Sequence, residues 1–436
     1  MIALVQKMKG GKIMKHAGKM IFVVLLIVSL LSACSSSSSS VSKSSSQPVT
    51  INFWYLWSGP EAKALESVIS DFNKSQNKII VKGLSVPDQQ KQIAAMSSGS
   101  GAFDISDTFN SDVASYAAKG VIAPLDQFMK QSNYDTSDFV PSALNASKYN
   151  NQTYALPTGV HTQLLLYNKD MFKKAGIANP PATTDELLQD IQKLTVEKNG
   201  SLQQLGLDTY DFTTMAYVFG GHWIDSNGKP TPTDPGVLKS YHFFIDNVVK
   251  KYGANEIQKF ESGLGQYASP QNPFYAGKVA MTIDGEWQAQ FIKEYAPNLQ
   301  WGAVPLPYPP GQSQLANTTQ IASGDFFIPS NSKHKQEAWE FLSYLESPKE
   351  MEKFTHAIAN LPARKSLINS TDYKDLGIQP WIDSLKSNNL HVMPSEPWMA
   401  QYTNDLATET SNIKLLKETP EQGMKNVAQK AASYAK

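Results

Sequence analysis

The sequence predicts an α/β protein of two lobes, each a mostly parallel sheet flanked by helices. Three observations carry this. Strand-like and helix-like segments alternate from residue 49 onward. About 400 of the 436 residues follow an apolar N-terminal segment, too many for one small core and suited to two lobes of roughly 200 each. Proline-rich stretches break the alternation where the chain could pass from one lobe to the other.

The elements follow in order. "VTINFWYLW" (49–57) is β-branched and aromatic and reads as a strand, turning at Ser58-Gly59 into a helix with Pro60 in its first turn, where a missing N–H costs nothing. Leu65, Val68, Ile69 and Phe72 then recur at helical spacing. "KIIVKGLSV" (78–86) is a second strand, "QQKQIAAMSSG" (89–99) a helix and "FDISDTF" (103–109) a third strand, a βαβαβ rhythm that argues a parallel sheet. "ALPTGVHTQLLLYN" (155–168) passes Pro157 and Gly159 into another strand. Thr183 and Glu186 form a capping box ahead of Leu187, Leu188, Ile191 and Leu194. Val237, Tyr241, Phe244, Ile245 and Val248 stripe a later helix, and "KVAMTID" (278–284) is a strand breaking at Gly285 into a helix near Trp287. "VPLPYPPGQ" (304–312) holds four prolines in nine residues and reads as a stiff connector. "GDFFIP" (324–329) is one more strand, Ala338, Phe341, Leu342 and Leu345 restart helical spacing, and the tail from Trp398 is helical.

The N-terminus has its own logic. Five lysines (7, 9, 12, 15 and 19) with no acid precede the apolar run at 20–31, and small residues follow at Ser32-Ala33, the pattern of an export signal. Twelve helical residues reach roughly 18 Å against an apolar bilayer core of about 30 Å, so a membrane-spanning anchor is the weaker reading. Cys34, the single cysteine, follows directly and opens a serine-rich strip that cannot bury a thiol. That strip has too little apolar surface to offset the entropy of ordering, and as a coil it reaches about 20 Å. The expected division is a signal at 1–33, a tether at 34–48, lobe one at 49–160 with 308–332, and lobe two at 161–307 with 333–436.

Composition narrows the function classes. Thirty-nine basic and 39 acidic residues cancel, which argues against nucleic acid as a partner. One cysteine excludes a disulfide framework. The seven histidines (16, 161, 222, 242, 334, 356 and 391) are scattered, with no i, i+4 pair, so no metal site is expected, nor any cofactor. Neither a GxSxG elbow nor a GxxxxGK[ST] loop is present. Asp284/Glu286 or Asp104/Asp107 could be cast as glycosidase carboxylates, but such pairs are common in a chain of this size, and no enzymatic activity is expected. Arg364 is the single arginine, which leans against an anionic ligand needing guanidinium forks. Charged residues make up only 18%, a low share that fits either an acidic habitat or a Ser/Asn/Gln-rich surface.

Several segments together resemble one family. "FWYLWSGPEAKALESVISDFN", "KGVIAPLD", "LPTGVHTQLLLYNKDMFKKAGI", "PPATTDELLQDIQKL", "FYAGKVAMTIDGEW" and "LPARKS" occur in the order found in the extracellular solute-binding lipoproteins of bacterial ABC importers, carbohydrate branch, which includes maltose-binding proteins. Leu31-Ser32-Ala33-Cys34 likewise resembles a lipobox, in which the cysteine becomes the lipidated first residue. One departure is Thr184, where the family often has tryptophan. The resemblance implies a periplasmic-binding-protein-like fold with the ligand cleft between lobes and hinges at 157–159 and 305–310. It implies a mono- or oligosaccharide ligand, ABC importer transmembrane subunits as partners, a monomer, and a place on the outer face of the cytoplasmic membrane, held there by lipid on Cys34. A non-sugar solute receptor, a cell-surface glycoside hydrolase and an adhesive lipoprotein are the alternatives.

A neutral sugar is recognised by aromatic platforms for its C–H faces and short polar side chains for its hydroxyls, placed at the carboxyl ends of strands. Standing at those predicted ends are Trp57, Ser58, Asp104, Asp107, Asn110, His161, Glu286, Trp287 and Asp325. Trp287 falls where the resemblance places a sugar-stacking tryptophan, and His161 where it places a hydroxyl-binding side chain. Trp223 in "GGHW", Glu396 and Trp398 in "PSEPW", and Arg364 in "LPARKS" complete the candidate set. Each has a plainer alternative: core packing for the tryptophans, a satisfied hinge histidine, helix capping for Asp107 and Asn110, and a structural brace for Arg364.

Overall fold

The computed structural model describes residues 47–435 except 209 and 266–268. The expected signal, Cys34 and all but the last two residues of the tether lie outside the described residues.

The first sheet begins with β1 (Val49–Tyr55), which leads through α1 (Gly59–Ser75) to β2 (Ile79–Ser85), its parallel partner. The α1 stripe of Leu65, Val68, Ile69 and Phe72 is buried against them. After α2 (Gln89–Ser97) the chain enters β3 (Ser106–Phe109), bridged to β1 at Phe53 and Ile105, and then α3 (Asn110–Ala118). β4 (Ala155–Thr162) follows; a single residue later the chain is in β5 (Leu164–Asn168), a strand of the second sheet. β5 shows why its leucine run is unbroken: Leu164 and Leu166 face the first core and Leu165 the second. A strand buried on both faces has no polar side to alternate with.

The second sheet then assembles. The Thr183 capping box opens α4 (Thr184–Leu194), followed by β6 (Val196–Lys198), β7 (Ser201–Leu207) and α5 (Phe212–Val218). α6 (Pro235–Phe244) runs into a π-helical turn, Ile245–Val249, ahead of α7 (Ala254–Ser262). Next come β8 (Val279–Asp284), α8 (Trp287–Tyr295) and β9 (Trp301–Val304). The strand order is β9-β5-β8-β7-β6.

The chain returns through 311–318 to β10 (Thr319–Phe327), which pairs antiparallel with β4 along one edge and with β3 along the other. α9 (Lys335–Leu345) and α10 (Pro348–Ala357) precede the short β11 (Leu361–Pro362), which pairs with β4. α11 (Gln379–Ser384) and β12 (Leu390–His391) complete this side, β12 pairing with β10. A third crossing, 392–398, delivers α12 (Met399–Lys414) and α13 (Pro420–Tyr434), whose Tyr402, Ile413, Met424 and Val427 close the second core.

Three expectations are corrected. The sheets are mixed, not mostly parallel: β4, β5, β9 and β10 carry the chain out and back, so their neighbours run against them, β12 beside β10 excepted. Residues 335–391 do not belong with lobe two. Phe341 packs against Phe72 with ring centroids 5.0 Å apart, and Lys353 pairs with Asp71 of α1 at 2.5 Å. The expected hinge at 157–159 is instead the paired centre of β4, where Pro157, lacking an N–H, sits opposite Asp325 at a register shift. The 305–310 stretch is pinned to the start of α4, since the Thr184 N–H donates to the Tyr308 carbonyl at 3.0 Å.

Candidate functional site

Every residue of β4 is buried except His161, two positions before the chain leaves the first sheet. Across from it, β8 of the second sheet ends at Asp284, and Gly285 and Glu286 lead into α8 at Trp287. The structure brings these together. His161 Nδ1 lies 2.5 Å from Glu286 Oε1, and the His161 ring meets the Trp287 indole edge-on, centroids 5.6 Å apart at 68°. Glu286 is fully buried, and its Oε2 has no hydrogen-bond partner. Burial works against the imidazolium, but the charge and hydrogen bond of Glu286, helped by Glu61, more than offset it and raise the His161 pKa.

Gly285 serves this arrangement through space. Its φ is not positive, so no left-handed turn demands glycine. A Cβ there would lie 2.3 Å from Trp287 Cζ3, so the indole folds back over the bare backbone. Asp284 braces the turn, accepting from the Gly285 N–H at 2.8 Å and the Gln288 side-chain amide at 2.7 Å.

The strand ends of the first sheet are tied internally. Trp57 is half-buried, edge-on to Phe326 and Phe354 at 5.5 and 5.3 Å, and Ser58 is exposed. Asp104 accepts from the Asn52 N–H and the Ser332 hydroxyl. Asp107 accepts from the Leu56 N–H at 2.8 Å, and burial pushes its pKa up to about 7. Asn110 Oδ1 accepts from the Ser323 N–H at 3.0 Å, and its carbonyl accepts from Ser395 Oγ at 2.9 Å, which anchors "PSEPW" to α3. Asp325 takes both the Ser147 and Ser323 hydroxyls and is fully buried.

Other candidates stand apart from Trp287. Trp223 is 1% exposed and donates its indole N–H to the Thr213 carbonyl at 3.0 Å. The glycines before it do not free a loop tip: Gly221 packs backbone to backbone on Gly236, where a Cβ would come within 2.2 Å. Trp398 caps α12, edge-on to Tyr402, and Glu396 reaches toward Gly228, its pKa raised by burial. Arg364 is a buried brace. It donates to the Glu346 carbonyl at 2.9 Å and Tyr134 Oη at 2.7 Å, pairs with Asp138 at 3.4 Å and lies over the Phe139 ring.

A cavity of about 780 Å³ opens between the two sheets. Phe109, Asn110 and Gln320 wall it on the first side, and Tyr210, Asp211 and Trp223 on the second. A smaller hollow of about 190 Å³ shares Glu261 with it and is walled by Asp284 and Gln288; neither Trp287 nor His161 lines either space. Sequence reasoning missed Phe109, which is 54% exposed, and missed Tyr210 and Asp211 because β7 before them was not recognised. The signal was present in "LQQLGL" followed by "DTYD". Among the described residues no group of His, Cys, Asp and Glu is placed to hold a metal ion.

Comparison with known proteins adds an independent line. The solved structure of CpMnBP1 with mannotriose bound superposes with a TM-score of 0.78 at 31% identity, covering 88% of this chain and all of that one. A binding protein of Brucella abortus is 28% identical over 356 residues, 80% of this chain and 83% of its own. The multiple sugar-binding protein of Streptococcus mutans is 24% identical over 395 residues, 86% and 88% of the two chains. The family described as bacterial extracellular solute-binding protein matches residues 57–352. With two five-stranded sheets, a cavity between them and this match over most of its length, the chain belongs to the bacterial extracellular solute-binding protein family.

Proposed function

We propose that this protein is the carbohydrate receptor of an ABC importer, and that lipid on Cys34 tethers it to the outer face of the cytoplasmic membrane as a monomer. The observation that carries the sugar reading is Trp287, a half-buried indole laid over Gly285 beside His161. A flat aromatic face with polar neighbours is what a sugar ring requires. Mannotriose in the similar solved structure and the streptococcal relative's name as a multiple sugar-binding protein point the same way. Arg364 strengthens it by being unavailable: the only guanidinium is committed to Glu346, Tyr134 and Asp138, which disfavours an anionic ligand.

Binding without catalysis is the accompanying reading. Of the carboxylates a glycosidase would use, Glu286 is buried against His161 and Asp284 is held by Gly285 and Gln288. The test is calorimetry of the purified protein against mannotriose and a panel of neutral sugars, with product analysis of each mixture. Saturable binding without turnover supports the receptor. Turnover makes it a hydrolase, and silence across the whole panel means a solute of another class.

A further inference from the structure

His161 and Glu286 are 125 residues apart in sequence and arrive from different sheets. Their contact is therefore a tie between β4 and the β8–α8 turn, set beside the indole that the turn carries. We propose that the His161–Glu286 ion pair is the positioning element for Trp287, so that sugar affinity follows the protonation of His161. This rests on the reading of Trp287 as a sugar platform.

The argument starts from what surrounds the pair. Glu286 is fully buried, and its Oε1 is engaged by His161 Nδ1 while Oε2 has no partner. A buried carboxylate with one partner depends heavily on that partner's charge. The charged groups acting on His161 are Glu286 and, from the first turn of α1, Glu61. β10 presents Ala322 opposite it, β11 lies beside Val160 through Leu361, and α11 approaches the crossing with Ser384 on Thr162 and Trp381 on the Asp284 carbonyl. No cation faces Glu286 in place of His161 among these contacts. When the imidazolium loses its proton, the ion pair becomes a neutral histidine against a buried charge, and the tie holding the turn to β4 weakens. Trp287 sits at the end of that turn with its edge contact on the same ring.

The sign follows. A histidine whose folded pKa is raised keeps its contribution below the ordinary value of about 6.5 and loses it as pH rises through the folded value. Affinity is accordingly highest in mild acid and falls as pH rises through the raised His161 value.

The test has two arms. In the first, the ligand-free protein is labelled with 5-fluorotryptophan, the Trp287 resonance is assigned from a Trp287→Phe variant, and its shift is followed from about pH 5.5 to 9. The Trp287 signal should titrate with His161 and stop titrating in His161→Gln, while His242→Gln, far from the turn, leaves the titration in place. A pH-invariant signal, or one that titrates unchanged in His161→Gln, overturns the proposal whether or not any sugar binds. In the second arm, affinity for mannotriose, or for the sugar the panel identifies, is measured across the same range. The wild type should lose about tenfold, or 1.4 kcal/mol, between the two limits, and Glu286→Gln should be weaker at low pH with a flat profile. Binding that is tight and pH-independent leaves the receptor reading intact and rejects the positioning role.

Discussion

Gly285 and Trp287 touch across a two-residue step, close enough that a single added methyl group would overlap the indole. Substituting Gly285 by alanine therefore pushes the ring off its seat without emptying any core. The expected result is at least a tenfold loss of sugar affinity, about 1.4 kcal/mol, with an unfolding midpoint near that of the wild type. A variant that binds normally would show that the posture of the ring is irrelevant to the ligand.

Two tryptophans make a matched pair of opposite cases. Trp287→Ala should lose sugar affinity by at least tenfold while unfolding near the normal temperature. Trp223→Ala empties a site that is 1% exposed and should cost about 3–5 kcal/mol of stability. Calorimetry and thermal melts on both variants decide the assignment. A collapsed midpoint for Trp287→Ala with intact affinity would move the platform elsewhere, to Phe109, Trp57 or Trp398.

Stability should rise on mild acidification. Burial raises Asp107 to about 7 and Asp325 to about 6. The folded state thus holds protons that the unfolded chain has released above about pH 4, and stability falls as pH climbs through the folded values. His161 is raised and acts in the same direction; His391, lowered by burial and by His222, opposes it. The expected gain is roughly 2 kcal/mol on going from pH 7 to pH 5, seen as a higher melting temperature. Asp107→Asn with Asp325→Asn should reduce that slope, with Asp190 and Glu346, also raised by burial, carrying the remainder. A midpoint that drops steadily from pH 7 to 5 would contradict the assignment.

Arg364→Met separates bracing from binding. It removes the donors to Glu346 and Tyr134 and the cation beside Asp138, which keeps its two hydrogen bonds from Ser366, at a cost of about 1–3 kcal/mol. Sugar affinity, measured at a temperature where the variant is folded, should be unchanged. Lost affinity in a folded variant would return Arg364 to the site.

Cys34→Ala addresses the tether. Without the thiol there is no point of lipid attachment, so the protein should be released into the medium or remain unprocessed. Fractionation checks this, and firm membrane retention of the fully processed variant would sink the lipid anchor.

Local chemistry was largely legible in the sequence, and long-range pairing was not. The α1 stripe and the Thr183–Glu186 capping box stand as their spacing requires, because side-chain periodicity and cap hydrogen bonds are set within a few residues. The α/β class followed from the same signals. The direction of strand pairing did not, because one residue between β4 and β5 sends the chain into another sheet, and nothing local to Gln163 announces it. At the site, Trp287 and His161 were named separately. Their junction through Glu286, fixed by two sheets meeting, could not be read from either segment. Trp223 misled for a related reason: Gly221, two residues before it, answers to Gly236, a neighbour in space.

The place of β10 bears on when this chain can fold as it is made. It lies between β4 and β3, so most of the first sheet is synthesised before the strand that joins it exists. The nascent polypeptide must carry Phe53, Val160 and their neighbours without a finished interior until Phe326 and Phe327 emerge. Closure over such a sequence separation is slow and exposes apolar surface in the interval. A fragment ending before Thr319 holds β1 to β4 in full and lacks the strand that would close them into a stable sheet.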